Sequence, residues 1–383
     1  MKLKSLLILL CSLAAGVFSP AVQANWCNYD AGQGPVRHTV PLITANISVG
    51  VDVPVGTVIH RQRMNAPGDS RPNMTCYAEG GPSFTWDQYL NLINTPALVA
   101  GWGGVYAGAL YQTSVAGIGL AITNNDGYGV GTALTTARFL KWVVTVPGGT
   151  TLYYPPVGHS VVLNFVKTGP ISAGVINGAS FPTVLMTTGA TLPITGSAAP
   201  PSTPYTINFS GAMSVVVNTC LTPDVLVPMG KYQVSQYFKG KGSTTPWVSM
   251  PIALQACPPF YGAYSNAANP PLYSLDGTQN PGTRVANTVT LGFMPNYGAI
   301  DSANGIIKLD NDPNVATGVG IQLGASSNPA SPGIDLSRTF NFPMTSSAVG
   351  SVSIRFYARY IQTKDVVTPG PANSKATFTV SYY

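Results

Sequence analysis

The stretch from Gly350 to Tyr383 is written almost wholly in alternating residues. Val352, Ile354, Phe356, Ala358 and Tyr360 alternate with Ser351, Ser353, Arg355, Tyr357 and Arg359. After the loop Val367-Thr368-Pro369-Gly370-Pro371, Phe378, Val380 and Tyr382 alternate with Thr377, Thr379 and Ser381. A period of two sends successive side chains to opposite faces, so both segments read as half-buried strands. The second runs to the end of the sequence. Its far side is therefore expected to be an open edge that another molecule completes.

The remaining composition points to an all-β protein. Glycine (41) and proline (33) are abundant, only 8% of residues are charged, and Glu79 is the only glutamate. Scarce Lys and Glu argue against long helices. The formal net charge of +6 is dispersed along the chain, which leaves no nucleic-acid footprint. Lys2 and Lys4, the apolar run from Leu6 to Val17 and the small-residue site Val22-Gln23-Ala24 read as a signal peptide over 1–24. That run is too short to cross a bilayer. The expected mature chain, Asn25 to Tyr383, exceeds one ordinary domain and suggests two.

Cys11 would leave with the signal, and Cys27, Cys76, Cys220 and Cys257 would remain. Export and an even count favour disulfides over a metal site. Three connectivities are possible. The wide gap between Cys76 and Cys220 favours Cys27–Cys76 and Cys220–Cys257, one per domain, each worth about 4 kcal/mol in the chain-entropy picture.

The proline-rich stretch 197–204 reads as a semi-stiff linker between 25–196 and 205–383. On both sides, short apolar runs separated by Gly/Pro/Asn turns predict two β-sandwich domains. Strands are expected at Ile43–Val49, Phe139–Val146 and Val161–Val166, then at Ile207–Cys220, around Val225 and Val227, and at Val315–Leu323. Trp86–Ile93 is expected to form a short helix.

The second half resembles the pilin domain of chaperone–usher fimbriae of Gram-negative bacteria. The resemblance rests on several features in order: the strand Ile207–Cys220, the turn Val227-Pro228-Met229-Gly230, Cys257 and Thr317-Gly318-Val319-Gly320-Ile321. The later ones are Phe356-Tyr357-Ala358-Arg359-Tyr360, Thr368-Pro369-Gly370 and the ending from Ala376 to Tyr382. It implies an incomplete immunoglobulin-like sandwich whose missing strand comes first from a periplasmic chaperone and then from the next subunit. Phe378, Val380 and Tyr382 would then line the donor-strand groove. The first half occupies the place of the donor segment, an arrangement that resembles two-domain tip adhesins with an N-terminal lectin domain. The start Asn25-Trp26-Cys27 is similar to that of mannose-binding type 1 pilus adhesins, where the N-terminus lines the sugar pocket. Tyr77-Ala78-Glu79 lacks their Asn-Asp pair, so mannose is not implied. The implied partners are the chaperone, the outer-membrane usher, an adjacent pilin subunit and a host or surface glycan. The implied location is the fimbrial tip on the bacterial surface, reached through the periplasm.

A sugar site needs planar polar groups for hydroxyls and an aromatic face for C–H surface. Asn124, Asn125, Asp126 and Tyr128 supply both within one loop, although Asn and Asp-Gly also make plain hairpin turns. Trp102 is a candidate stacking platform or a core residue. Glu79 is a hydroxyl acceptor or a solvated carboxylate. Asn25 joins this set through the resemblance. His38, His60 and His159 could bind zinc only if the fold gathered them, so no cofactor is expected and a zinc-dependent adhesin stands as an alternative. A structural tip-capping pilin without a glycan ligand is another. No nucleophile elbow or zinc-protease motif occurs, and carboxylates are too few for a glycosidase pair, so no enzyme is expected.

Overall fold

The computed structural model describes residues 25–67, 72–78, 82–124, 131–154, 159–345 and 349–383, with the side chains of 152–154 and 159 outside that set. The first fifteen strands are β1 Trp26–Tyr29, β2 Val36–Pro41, β3 Asn46–Gly50, β4 Val58–Ala66, β5 Met74–Tyr77, β6 Phe84–Ile93, β7 Tyr111–Gln112, β8 Ile118–Asn124, β9 Phe139–Val146, β10 Thr151–Tyr154, β11 His159–Lys167, β12 Gly174–Asn177, β13 Thr183–Ala190, β14 Tyr205–Ser210 and β15 Ala212–Asn218. Ten more follow: β16 Val248–Cys257, β17 Leu272–Ser274, β18 Gln279–Asn280, β19 Thr288–Pro295, β20 Ala299–Asp301, β21 Ile306–Ile307, β22 Val319–Gly324, β23 Phe340–Pro343, β24 Gly350–Gln362 and β25 Ala376–Tyr382. The helical content is confined to short turns, among them α1 Val234–Tyr237. The protein is all-β, as its composition predicts.

In the first half, one sheet runs β2-β14-β13-β6-β9 and another β18-β17-β4-β11-β8-β7, with smaller sheets β12-β15-β3 and β1-β5-β10. Ile47, Leu90, Leu120, Leu163, Phe165 and Val184 meet in a hydrophobic core between them. Strand β6 replaces the expected helix at Trp86–Ile93. Phe84, Trp86, Gln88 and Leu90 are buried and alternate with half-buried Thr85, Asp87 and Tyr89. Ladders to β13 and β9 on both sides fix this period of two, and tertiary pairing overrides weak local propensity.

The expected single strand Ile207–Cys220 is two strands, broken at Gly211, whose φ of +78° suits glycine. β14 pairs with β13 and lies parallel to β2, and β15 pairs with β12 and lies parallel to β3. Tyr205, Ile207, Phe209, Met213 and Val215 therefore bury into the first core. The stretch 197–204 is also attached there and is not a free linker. Ser197 bonds Asn28 and Tyr29, Ala198 is fully buried beside Cys27, and Thr188 and Ser202 bond each other. The change from one core to the other falls between Val215 and Cys220. The proline-rich composition that suggested a linker instead suits a segment held by side-chain bonds.

In the second half, the sheet β16-β24-β22-β21-β20 faces the sheet β23-β19-β25. Phe356 of β24 meets Phe293 of β19 at 4.8 Å and Phe340 and Phe342 of β23 at 5.4 and 6.2 Å between ring centroids. The terminal pattern noted in the sequence thus places Ile354, Phe356, Ala358 and Tyr360 from one face and Tyr382 from the opposite face in one core. The halves also touch directly, since β17 of the second half lies parallel to β4 of the first.

Candidate functional site: an open strand position

Cys220 and Cys257 form a disulfide, as do Cys27 and Cys76. Beyond Cys220 the chain is extended, and Val225, Val227 and Met229 pack against the second core while Leu226 between them is 93% exposed. This is the side-chain alternation of a strand. Yet among the described residues no backbone hydrogen bond joins 222–232 to any neighbouring strand. The expected strand at Val225 and Val227 keeps its pattern but lacks a partner.

Two contacts show where this segment runs. At its start, the Cys220 N–H donates to the Tyr382 hydroxyl at 3.1 Å. At its far end, Tyr232 meets Tyr360 edge-on at 6.0 Å, and the Tyr360 hydroxyl donates to the Ala372 carbonyl at 2.9 Å, shortly before β25 begins. The segment therefore spans from the end of β25 to its approach, alongside it but not hydrogen-bonded to it.

Among the described residues β25 is an edge strand, with β19 as its one ladder partner. Thr288 and Tyr383 exchange both backbone bonds at 2.8 Å. In an antiparallel ladder such pairs alternate, so the N–H and C=O groups of Ala376, Phe378, Val380 and Tyr382 point away from β19. The Phe378 and Val380 side chains face the same core as Val225 and Val227. Apolar side chains of Val225, Val227, Phe378 and Val380 thus share one face beside the outward backbone groups of Ala376, Phe378 and Val380, which have no ladder partner among the described residues. Sequence reasoning singled out Phe378, Val380 and Tyr382 for this site. The segment carrying Val225, Val227 and Met229 was legible only as an ordinary strand.

The predicted sugar residues are not gathered in one place among the described residues. Asn25 is buried and its carbonyl accepts from the Thr195 N–H at 2.9 Å. The Trp102 indole donates to the Val105 carbonyl at 2.8 Å, and its ring packs with Leu110, Ala121 and Val166. Asn124 ends β8, buried, with its N–H bonded to the Thr132 carbonyl. Glu79, Asn125, Asp126 and Tyr128 lie outside the described residues. A cleft of about 310 Å³ between the halves does combine Tyr261 and Tyr264 with the amides of Asn46, Gln279 and Asn280 and the guanidinium of Arg284. Its lining comes from segments more than 200 positions apart, so no local motif announces it.

The His159 side chain lies outside the described residues, and His38 and His60 are held apart by separate aromatic contacts. His38 rests against Tyr205 at 5.1 Å, and His60 is enclosed between Phe165 and Tyr264 at 5.5 and 5.7 Å. Among the described residues, no group of three or more His, Cys, Asp or Glu is placed to hold a metal ion. Burial lowers the His60 pKa to about 3, which keeps the ring neutral.

Comparison with known proteins agrees with the construction of the second half. The fimbrial protein family matches residues 207–383. A type 1 fimbrial subunit of Salmonella typhimurium is 33% identical over 181 residues, which cover 46% of this chain and 82% of the relative. Among solved structures, the CupB6 tip adhesin of Pseudomonas aeruginosa is 15% identical with a TM-score of 0.32, covering 93% of this chain and 94% of its own. The receptor-binding domain of the adhesin MrkD1P of Klebsiella pneumoniae is 16% identical with a TM-score of 0.30, covering 51% and 98%. The sequence relationship to the Salmonella subunit, matched over most of that protein's length, decides the assignment: this chain belongs to the fimbrial protein family, whose subunits are exported to fimbriae on the bacterial cell surface.

Proposed function

We propose that the protein is a fimbrial tip adhesin of the chaperone–usher type. Its second half accepts a donor strand, and its first half binds a surface glycan. The observation that carries this reading is the vacant strand position between 220–232 and β25. An extended peptide can add to such an edge through main-chain bonds, with alternate side chains entering the apolar floor. Each buried Val, Leu, Ile or Phe contributes about 1.5–3 kcal/mol. Four or five of them rival the roughly 5–15 kcal/mol stability of a whole domain. The donors would be a periplasmic chaperone during export through the usher and an adjacent pilin subunit in the fibre.

The tip position is supported by β1. This strand is paired to β5 and tied by the Cys27–Cys76 disulfide, so it is held in a sheet and is not free to act as a donor. Glycan binding is supported by the amide and tyrosine chemistry of the cleft that Asn46 of the first half shares with Tyr264 and Asn280 of the second.

A second reading, a structural capping subunit without a glycan ligand, draws on the burial of Asn25 and the internal bonding of Trp102. A glycan array with the full chain, held folded by a donor peptide, separates the two. Reproducible binding to one glycan class, weakened by Asn46→Ala or Asn280→Ala, supports the adhesin. Silence across a broad array supports the cap.

A further inference from the structure

The acceptor edge of β25 is not open along its whole length. The Tyr382 N–H donates to Asp52 Oδ2 at 2.8 Å, and the Asp52 N–H donates to the Tyr382 carbonyl at 3.1 Å. These are the two outward groups that a strand paired at Tyr382 would use. One residue of the first half thus satisfies both, in the manner of a ladder partner. Phe378 and Val380, with the same outward orientation, have no such partner among the described residues.

Asp52 is held in this position from several directions. It follows Gly50, where a Cβ would lie 2.1 Å from the Tyr382 carbonyl oxygen, so only glycine permits the approach. Ser48, two positions before Gly50, donates its N–H to the Gly262 carbonyl, and its hydroxyl accepts from the Gly262 N–H and donates to the Asn287 side-chain oxygen. The Lys167 ammonium donates to the Val51 carbonyl at 2.7 Å. Asp52 therefore sits on a braced loop and is not a passing surface carboxylate.

We propose that Asp52 is the register stop of the acceptor edge. It occupies the position opposite Tyr382 in cis, so an incoming donor strand pairs with Ala376, Phe378 and Val380 and ends there. The occupant is an extended peptide of alternating apolar and polar residues. The inference rests on the donor-strand reading and adds a specificity determinant contributed by the first half. It also places the first half in contact with the end of the docked strand.

The test uses the full chain and a nested set of alternating apolar peptides, trimmed by two residues from either end. For the wild type, the longest peptide and the one trimmed at the Tyr382 end should bind within about twofold of each other. In Asp52→Ala the longest peptide should gain about fivefold over the trimmed one, the worth of the Tyr382 N–H released by the carboxylate, while the backbone N–H of residue 52 still holds the Tyr382 carbonyl. Asp52→Asn, which keeps an acceptor oxygen, should behave like the wild type. Should Asp52→Ala fail to fold, the wild type alone decides: its Tyr382 amide should exchange slowly before any peptide is added. Identical length dependence in wild type and Asp52→Ala, or fast exchange at Tyr382 in the free wild type, overturns the register stop while leaving strand acceptance standing. Failure of every peptide to bind overturns both.

Discussion

Tyr232 lies edge-on against Tyr360 with ring centroids 6.0 Å apart, and this contact pins the far end of a strand-like segment that has no hydrogen-bonded strand partner among the described residues. Aromatic pairs of this kind contribute about 0.5–1.5 kcal/mol beyond their buried area. Tyr232→Ala should destabilise the donor-bound chain by about 1–2 kcal/mol in urea unfolding. It should weaken donor-peptide binding about tenfold, because the wall formed by Val225, Val227 and Met229 would no longer be held in place.

Val380 borders the open strand position with its side chain toward the core and its backbone outward. Val380→Asp would force a carboxylate into the apolar floor once a donor strand covers it, at a cost of several kcal/mol. Peptide binding should fall at least a hundredfold in a titration calorimeter. Val380→Ala should lose only about tenfold.

Gly50 has no room for a side chain against the Tyr382 carbonyl. Gly50→Ala should separate β3 from the end of β25 and cost about 1–3 kcal/mol by overpacking. Thermal unfolding of the donor-bound chain checks the stability. Faster amide exchange at Tyr382 should accompany the loss, because the Asp52 bonds depend on the same approach.

His60 supplies a pH dependence with a definite sign. Its folded pKa of about 3 lies below the ordinary 6.5. The unfolded chain therefore binds the proton more readily in between, and stability falls as pH drops below 6.5. One such group is worth about 2 kcal/mol between pH 6.5 and 5. His60→Phe should flatten this part of the stability profile, as followed by urea midpoints.

The terminal strands were legible because their alternation holds up to Ala358, beyond which Arg359, Ile361 and Gln362 are also buried and Arg359 bonds Gln322 and the Pro329 carbonyl. Phe356 and Tyr360 point into the core and Arg355 and Tyr357 point away from it, as the period of two requires. Trp86–Ile93 was misread because its polar positions, Gln88 and Asn91, are buried between two neighbouring strands and blur the alternation. The position of Tyr205–Asn218 was illegible for a different reason. Its alternation carries no mark of which core it joins, and the parallel partners β2 and β3 place it in the first. Asp52 could not have been found by local reading. Its importance comes from Tyr382, 330 positions away.

The account depends most on a vacant strand position beside β25. Amide hydrogen exchange at Phe378 and Val380 tests this directly, measured on the full chain with and without an alternating apolar donor peptide. Both amides should exchange quickly in the free protein and slow at least a hundredfold when the peptide is bound. Slow exchange at both amides without any peptide would show that the edge is already covered, and would contradict the account.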